Sequence, residues 1–512
     1  MKYLRKFDSV ADMNAAIASS EIDILGLAYN GSTPVMRIKS GGSPVPPTPS
    51  TSTPFYVENI INEVETLTIA GYDWMDEDNY LEIPVEYSTD GTNWSSWGTT
   101  GETALTRTLQ PGDKVYLRAT TDAWYEYQED EFGEGQIEHG CTISGVSKVG
   151  GNIMSLLYGS NFSGNETAFP SGSDSIFLNL FNDMNDEEGS NRNLVSASEL
   201  ILPATTLTPN CYGSMFSSCI SLTAAPAILP ATTLAEDCYF YMFTNCISLT
   251  AAPALPATTL AGSCYSDMFA YCSSLTTAPA LPATTLAESC YGNMFEGCTS
   301  LTTAPALPAT TLAEGCYQSM FGGCESLTSA PALPATTLTE GCYKGMFESC
   351  MSLTAAPALP ATTLASACYS EMFNNCTALT TAPALPATTL AGGCYSYMFW
   401  QCSALTTAPA ILPATTLASN CYYGMFSYCS ALTTAPELPA TTLAESCYGN
   451  MFEYCSNLNY IKCLAVNKSA SQSTNNWVRN VAASGTFVKD SNMSSWTTGN
   501  NGIPSGWTVQ DA

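Results

Sequence analysis

The chain has 512 residues, a formal net charge of -30, a single histidine and only 15 Lys and Arg against 45 Asp and Glu. Such a length predicts several domains. The charge excludes nucleic acid as a partner, because phosphate binding needs clustered cations, and no apolar run reaches the roughly 18 residues of a membrane span.

Residues 1–43 read as a small docking or oligomerisation segment. The start, Met1 to Asp8, is charged and lacks an apolar run and a cleavage site, so it is not expected to be a secretory signal peptide. The protein is then expected either to work in the cytosol or to leave the cell by another route, such as inside a released virus particle. Ser9 to Asp12 can cap a helix with Val10, Met13 and Ile17 on one face. Ile24–Ala28 and Val35–Ile38 read as a hairpin across Asn30-Gly31. A piece this small cannot bury a core alone and is expected to fold against a partner or against copies of itself. Residues 44–54 (Pro-Val-Pro-Pro-Thr-Pro-Ser-Thr-Ser-Thr-Pro) form an extended, semi-rigid linker.

Residues 55–145 read as all-β. Leu67–Ile69, Ile83–Tyr87, Leu105–Leu109 and Val115–Ala119 are apolar or alternating, with turns at Asp90-Gly91 and Pro111-Gly112 between them. Acidic runs at Asp73–Asp78 and Glu126–Glu138 are expected to be solvated loops. The first could hold calcium, but the spacing of a calcium loop is absent.

From Leu202 to Leu458 one unit recurs. Cys-Tyr pairs stand at Cys211, Cys238, Cys264, Cys290, Cys316, Cys342, Cys368, Cys394, Cys421 and Cys447, a step of 26 residues, or 27 where Ile228 or Ile411 enters. A fixed period of this size predicts a solenoid of ten repeats over residues 203–458. In the copy around Cys290, Leu275, Ala278 and Leu281 suit the buried face of a short parallel strand that stops before Pro279. Cys290, Met294, Phe295 and Cys298 have near-helical spacing over Ala287–Cys298. The two cysteines of a copy are then about 12 Å apart at ~1.5 Å per residue, too far for a disulfide, and stacked buried thiols are expected. With one histidine and no C-x-x-C pair, no zinc site is expected, nor any other metal or cofactor. Residues 146–202 echo parts of the repeat and are expected to cap one end. Residues 459–512, with Trp477, Val478, Phe487, Trp496 and Trp507, cap the other.

No Ser-His-Asp or Cys-His arrangement can be assembled, so the chain is expected not to be an enzyme. Binding residues should be those that vary between copies, because they do not hold the fold. Early and middle copies carry small or acidic residues there, among them Asp267, Asn293, Glu296, Glu348 and Glu371. Late copies carry Tyr397, Trp400, Tyr423, Tyr428 and Tyr454, and Phe240, Tyr241 and Tyr271 form a smaller early group. Exposed rings at repeat spacing suit sugar faces or a protein partner. The other reading is that they lie flat on neighbouring coils or pack on another subunit.

The recurring Met-Phe-x-x-Cys-x-x-Leu (Met294, Phe295, Cys298, Leu301), followed by a strand and Leu-Pro, resembles the BspA-like leucine-rich repeats over about half the chain, with units about three residues longer than usual. Tyr87–Trp94 is similar to a hairpin of immunoglobulin-like and fibronectin-like sandwiches. Residues 1–43 resemble N-terminal segments on structural proteins of gut bacteriophages. Together these resemblances imply a modular, mostly β protein: an immunoglobulin-like β-sandwich followed by a leucine-rich-repeat solenoid. They imply a virion head or tail fibre or decoration protein. Its N-terminus would attach to virion proteins through Tyr3, Leu4, Phe7, Val10, Met13 and Ile17, and its solenoid would touch a bacterial surface or glycan. A homo-oligomer, such as a trimer, is the expected state. The rival reading is a bacterial cell-surface or secreted adhesin of the same repeat family.

Overall fold

A computed structural model describes residues 3–5, 24–30, 33–38, 50–73, 80–129, 136–170, 173–182, 193–494 and 496–512. The chain divides into two units, Met1–Pro49 and Ser50–Ala512. In the first, β1 (Tyr3–Arg5), β2 (Ile24–Asn30) and β3 (Thr33–Ile38) form an antiparallel sheet in the order β1-β3-β2. The β2–β3 pair is the expected hairpin, with a register shift between Ile24 and Leu27. Tyr3 and Leu4 stand in β1. The expected helix, and with it Phe7, Val10, Met13 and Ile17, lies outside the described residues.

The second unit begins with two sheets. One has the order β10-β11-β5-β8, from β5 (Glu65–Asp73), β8 (Leu105–Leu109), β10 (Tyr125–Glu129) and β11 (Gln136–Ser144). The other has the order β13-β12-β4-β9-β6-β7, from β4 (Tyr56–Glu58), β6 (Pro84–Ser88), β7 (Ser95–Thr99), β9 (Lys114–Ala119), β12 (Lys148–Asn152) and β13 (Ser196–Ile201). Val57, Val85 and Leu117 of one sheet share a buried apolar cluster with Leu67, Ile69 and Ile143 of the other. Alternation within β9 puts Val115, Leu117 and Ala119 inward. The Asp90 carboxylate accepts the N–H groups of Thr92 and Asn93 at 2.8 and 2.7 Å, closing the β6–β7 turn. The acidic stretches considered for calcium lie, in their side chains, outside the described residues.

The second sheet and the coils are continuous. β13 pairs parallel with β12 and is also the first rung of the repeat: Ser196 bridges Ala224, and Ala197 N–H donates to Ala224 O at 2.8 Å. One apolar cluster runs from Phe55 to Trp507.

Two features of the coils differ from expectation. The short strand does not form as a continuous ladder. Neighbouring coils touch there through single parallel bridges, such as Ala251 to Thr277 and Thr285 to Thr311. Pro279 and Pro282 supply no N–H, so pairing cannot run on between the bridges. Nor is Ala287–Cys298 helical. Alternate N–H groups point to the next coil: Ser289 to Glu314 O (2.9 Å), Tyr291 to Cys316 O (3.1 Å), Asn293 to Gln318 O (2.8 Å), Phe295 to Met320 O (2.9 Å) and Gly297 to Gly322 O (2.7 Å). Those between them close overlapping turns, such as Gly292 to Ser289 O and Cys298 to Phe295 O. Each turn needs a left-handed residue, and Ser289, Asn293 and Gly297 have φ of 48°, 50° and 67°. Asn and Gly adopt that region most cheaply.

The inward side chains of this turn ladder stack in columns. Phe269, Phe295, Phe321, Phe347, Phe373 and Phe399 follow one another at 5.7 Å between ring centroids, with planes within 7°. Tyr291 and Tyr317 repeat the arrangement at 5.8 Å in a second column. Such pairs add about 0.5–1.5 kcal/mol each beyond their buried area. All 22 cysteines are buried free thiols, and Cys298 donates its S–H to Phe269 O of the preceding coil at 3.1 Å.

The ends reuse the same geometry. Ser175, Phe177, Asn179 and Phe181 donate to Pro209, Cys211, Gly213 and Met215, with Phe181 stacked on Phe216 at 5.0 Å. At the other end Trp477 takes the place of the column ring, and its indole N–H donates to Gly502 O at 2.8 Å. β14 (Tyr460–Cys463), β15 (Thr486–Lys489) and β16 (Thr508–Asp511) form a parallel sheet.

Candidate functional site

Because inward positions of the turn ladder are filled by Cys, Tyr, Met and Phe, outward positions form vertical files, one residue per coil. Where the late coils carry rings and carboxylates, these files enclose a groove of about 360 Å³ lined by Glu371, Asn374, Tyr397, Trp400, Ser427, Asn450 and Glu453. The seven residues come from four successive coils: three pairs spaced three apart (Glu371 and Asn374, Tyr397 and Trp400, Asn450 and Glu453) and Ser427 between the last two.

One wall is aromatic. Trp400 meets Tyr428 edge-on at 6.0 Å between centroids, and Tyr428 stacks on Tyr454 at 4.6 Å. Tyr397 meets Tyr423 edge-on at 5.3 Å, and the Tyr423 hydroxyl accepts a hydrogen bond from Asn450 Nδ2 at 2.8 Å. Burial, and then the Tyr423 hydroxyl, push the Tyr397 phenol up to about 12, so it is neutral near pH 7. Tyr397, Tyr428 and Tyr454 all sit at left-handed positions, φ 55°, 63° and 59°, where Gly345, Gly424, Gly297 or Gly323 stands in other coils. A bulky residue there costs about 1–2 kcal/mol.

The other wall is polar and rich in acceptors. Glu453 is buried and ion-paired with Arg479, whose guanidinium lies 5.1 Å from the Tyr454 ring centre. Ser427 donates to Glu453 O at 3.2 Å. Asn374 is nine-tenths buried; its Nδ2 donates to Glu348 Oε1 at 3.1 Å, and its equally buried Oδ1 has no partner among the described residues. Glu371 has no cationic partner among the described residues. Burial raises the Glu348 carboxyl above its usual range, reinforced by Glu371 and Glu296.

The expected binding residues are distributed unevenly. Tyr397 and Trp400 line the groove, and Tyr423, Tyr428 and Tyr454 back or flank it. Phe240, Tyr241 and Tyr271 sit several coils away, with Phe240 and Tyr241 edge-on at 4.1 Å and the Tyr271 hydroxyl donating to Glu296 Oε1 at 3.0 Å. Full exposure is not general at these positions. Only Tyr271 and Tyr428 are exposed outright, the other rings are half-buried, and Asp267 is buried. Glycines explain part of this: Tyr271 lies over Gly297, Tyr397 over Gly424 and Tyr423 over Gly449. These rings thus lie on the next coil, and of the three Tyr397 also lines the groove. Asn374, Ser427, Asn450 and Glu453 were not singled out in the sequence. The available signal was that they occupy outward files beside Tyr397 and Trp400.

No protein-family model and no curated protein matches the chain. Among solved structures, a leucine-rich repeat protein from Bacteroides ovatus ATCC 8483 is similar at 13% identity, over 77% of this chain and 98% of that one, with a TM-score of 0.37. The regular repeat of the present chain, mostly β with almost no helix, is read from its own coils.

Proposed function

We propose that the chain is a non-enzymatic adhesion protein whose solenoid binds a glycan in the groove between Glu371 and Glu453. The carrying observation is the pairing of an aromatic wall, Trp400 with Tyr397 and Tyr428, with a wall of carboxylate and amide acceptors. Ring faces bind the C–H faces of sugars, and fixed acceptors select hydroxyl patterns. Glycan-array binding by the full chain tests the reading. Binding that drops at least tenfold in Trp400→Ala supports it, and an array with no binding contradicts it.

The setting we propose is a virion fibre or decoration protein, trimeric, attached through the N-terminal unit, with the two-sheet module as an immunoglobulin-like spacer. Support comes from the modular order and from the likeness of residues 1–43 to phage structural segments. Mass spectrometry of purified particles should find the polypeptide at fibre-like copy number. Recovery only from a bacterial envelope would favour a cell-surface adhesin instead.

A further inference from the structure

The groove differs from a neutral sugar site in its charge. From Leu202 to Cys455 the only basic residue is Lys344, so the field over the late coils is negative. Within the groove, Arg479 accounts for Glu453 alone. Glu371 lines the same space with no cationic partner among the described residues. Asn374 beside it commits its amide nitrogen to Glu348, whose charge is disfavoured by burial and by Glu371. The unpaired carboxylate therefore favours a hydrogen-bond donor that carries positive charge. The rings of Tyr397, Trp400 and Tyr428 suit it too, because aromatic faces attract ammonium groups.

Resting on the glycan reading above, we infer that the ligand is an amino sugar with a free ammonium group, held at the Glu371 carboxylate with its ring against Trp400. Charge-assisted bonds from an ammonium to a carboxylate are the strong ones. An N-acetylated sugar lacks the charge. Acidic glycans and phosphorylated surfaces are repelled by the same field.

The test is calorimetric titration of the full chain at pH 6.5 with three probes: a β-1,4-linked glucosamine tetramer, the N-acetylglucosamine tetramer and hexalysine. The expected result is that the glucosamine tetramer binds roughly tenfold or more tightly than the other two. That preference should vanish in the isosteric Glu371→Gln and weaken in Trp400→Ala, while Ile247→Ala, an exposed residue several coils away, leaves it unchanged. Equal binding of both tetramers would overturn the ammonium inference and leave the glycan reading standing. Failure of both tetramers would overturn both. Equal binding of hexalysine would show that charge alone is recognised and overturn the sugar part. Unchanged binding in Glu371→Gln, with its thermal transition also unchanged, would remove the site from this groove.

Discussion

The ring of Tyr397 lies directly over the backbone of Gly424 in the next coil: a Cβ at residue 424 would stand 2.5 Å from Tyr397 Cε1. The two residues occupy the same position in successive copies. The Tyr397 ring therefore requires a small residue at 424, and the groove's shape depends on that succession. Gly424 also has φ of 61°, so an added Cβ is disfavoured twice.

Gly424→Ala should lower stability by about 1–2 kcal/mol, from left-handed strain plus the clash. Thermal melting checks this. In the double variant with Tyr397→Ala the clash disappears and only the backbone part should remain. Additive losses would mean that the two residues do not share space.

Turn positions held left-handed by other residues make the reverse prediction. Ala367 has φ of 49° and no polar side chain to compensate. Ala367→Gly should raise stability by roughly 0.5–1 kcal/mol, the relief of strain exceeding the added entropy of the unfolded chain. A drop in melting temperature would contradict the turn ladder at that residue.

The thiols should be inert in the folded protein. Burial pushes Cys272 and Cys402 up to about 12, and no cysteine is exposed. At pH 8 a thiol reagent should label none of the 22 within minutes, and all of them in denaturant. Fast labelling without denaturant would refute the stacked, buried columns. So would intramolecular disulfides in the non-reduced protein.

Acid should first strengthen the fold. Burial raises the carboxyls of Asp267 and Glu348, so the native state binds more protons than the unfolded chain just above their usual pKa values. Stability then falls as pH rises through the raised values and is regained on acidification toward the ordinary carboxyl range. Glu199 runs the other way. Hydrogen bonds from Lys148 and Tyr56 lower it, so its contribution is present above the ordinary carboxyl pKa and lost as pH falls through the lowered one. Melting temperature against pH should show a maximum on the acid side of neutrality, and a monotonic fall from pH 7 downward would contradict this.

Much of the architecture was legible because inward residues barely vary. Cys290, Met294, Phe295 and Cys298 return in every copy, and such constancy announces columns. Their spacing of four, one and three was read as near-helical, yet it fits equally a ladder of turns with a left-handed residue every fourth position. The distinguishing signal was Ser289, Asn293 and Gly297, residues suited to that conformation at intervals of four. The strand was overestimated because Pro279 was allowed to end it, whereas Pro279 and Pro282 together leave only single bridges. At the site, the rings stood out as variable residues. Most of their polar partners did not, because Asn374, Ser427, Asn450 and Glu453 meet the rings only once the coils are stacked.

The most direct measurement is a crystal structure of the full chain soaked with the glucosamine tetramer. The account predicts a sugar ring against Trp400 with its nitrogen within hydrogen-bonding distance of the Glu371 carboxylate. Sugar density at Phe240 and Tyr271 instead, with the Glu371–Glu453 groove empty, would contradict it.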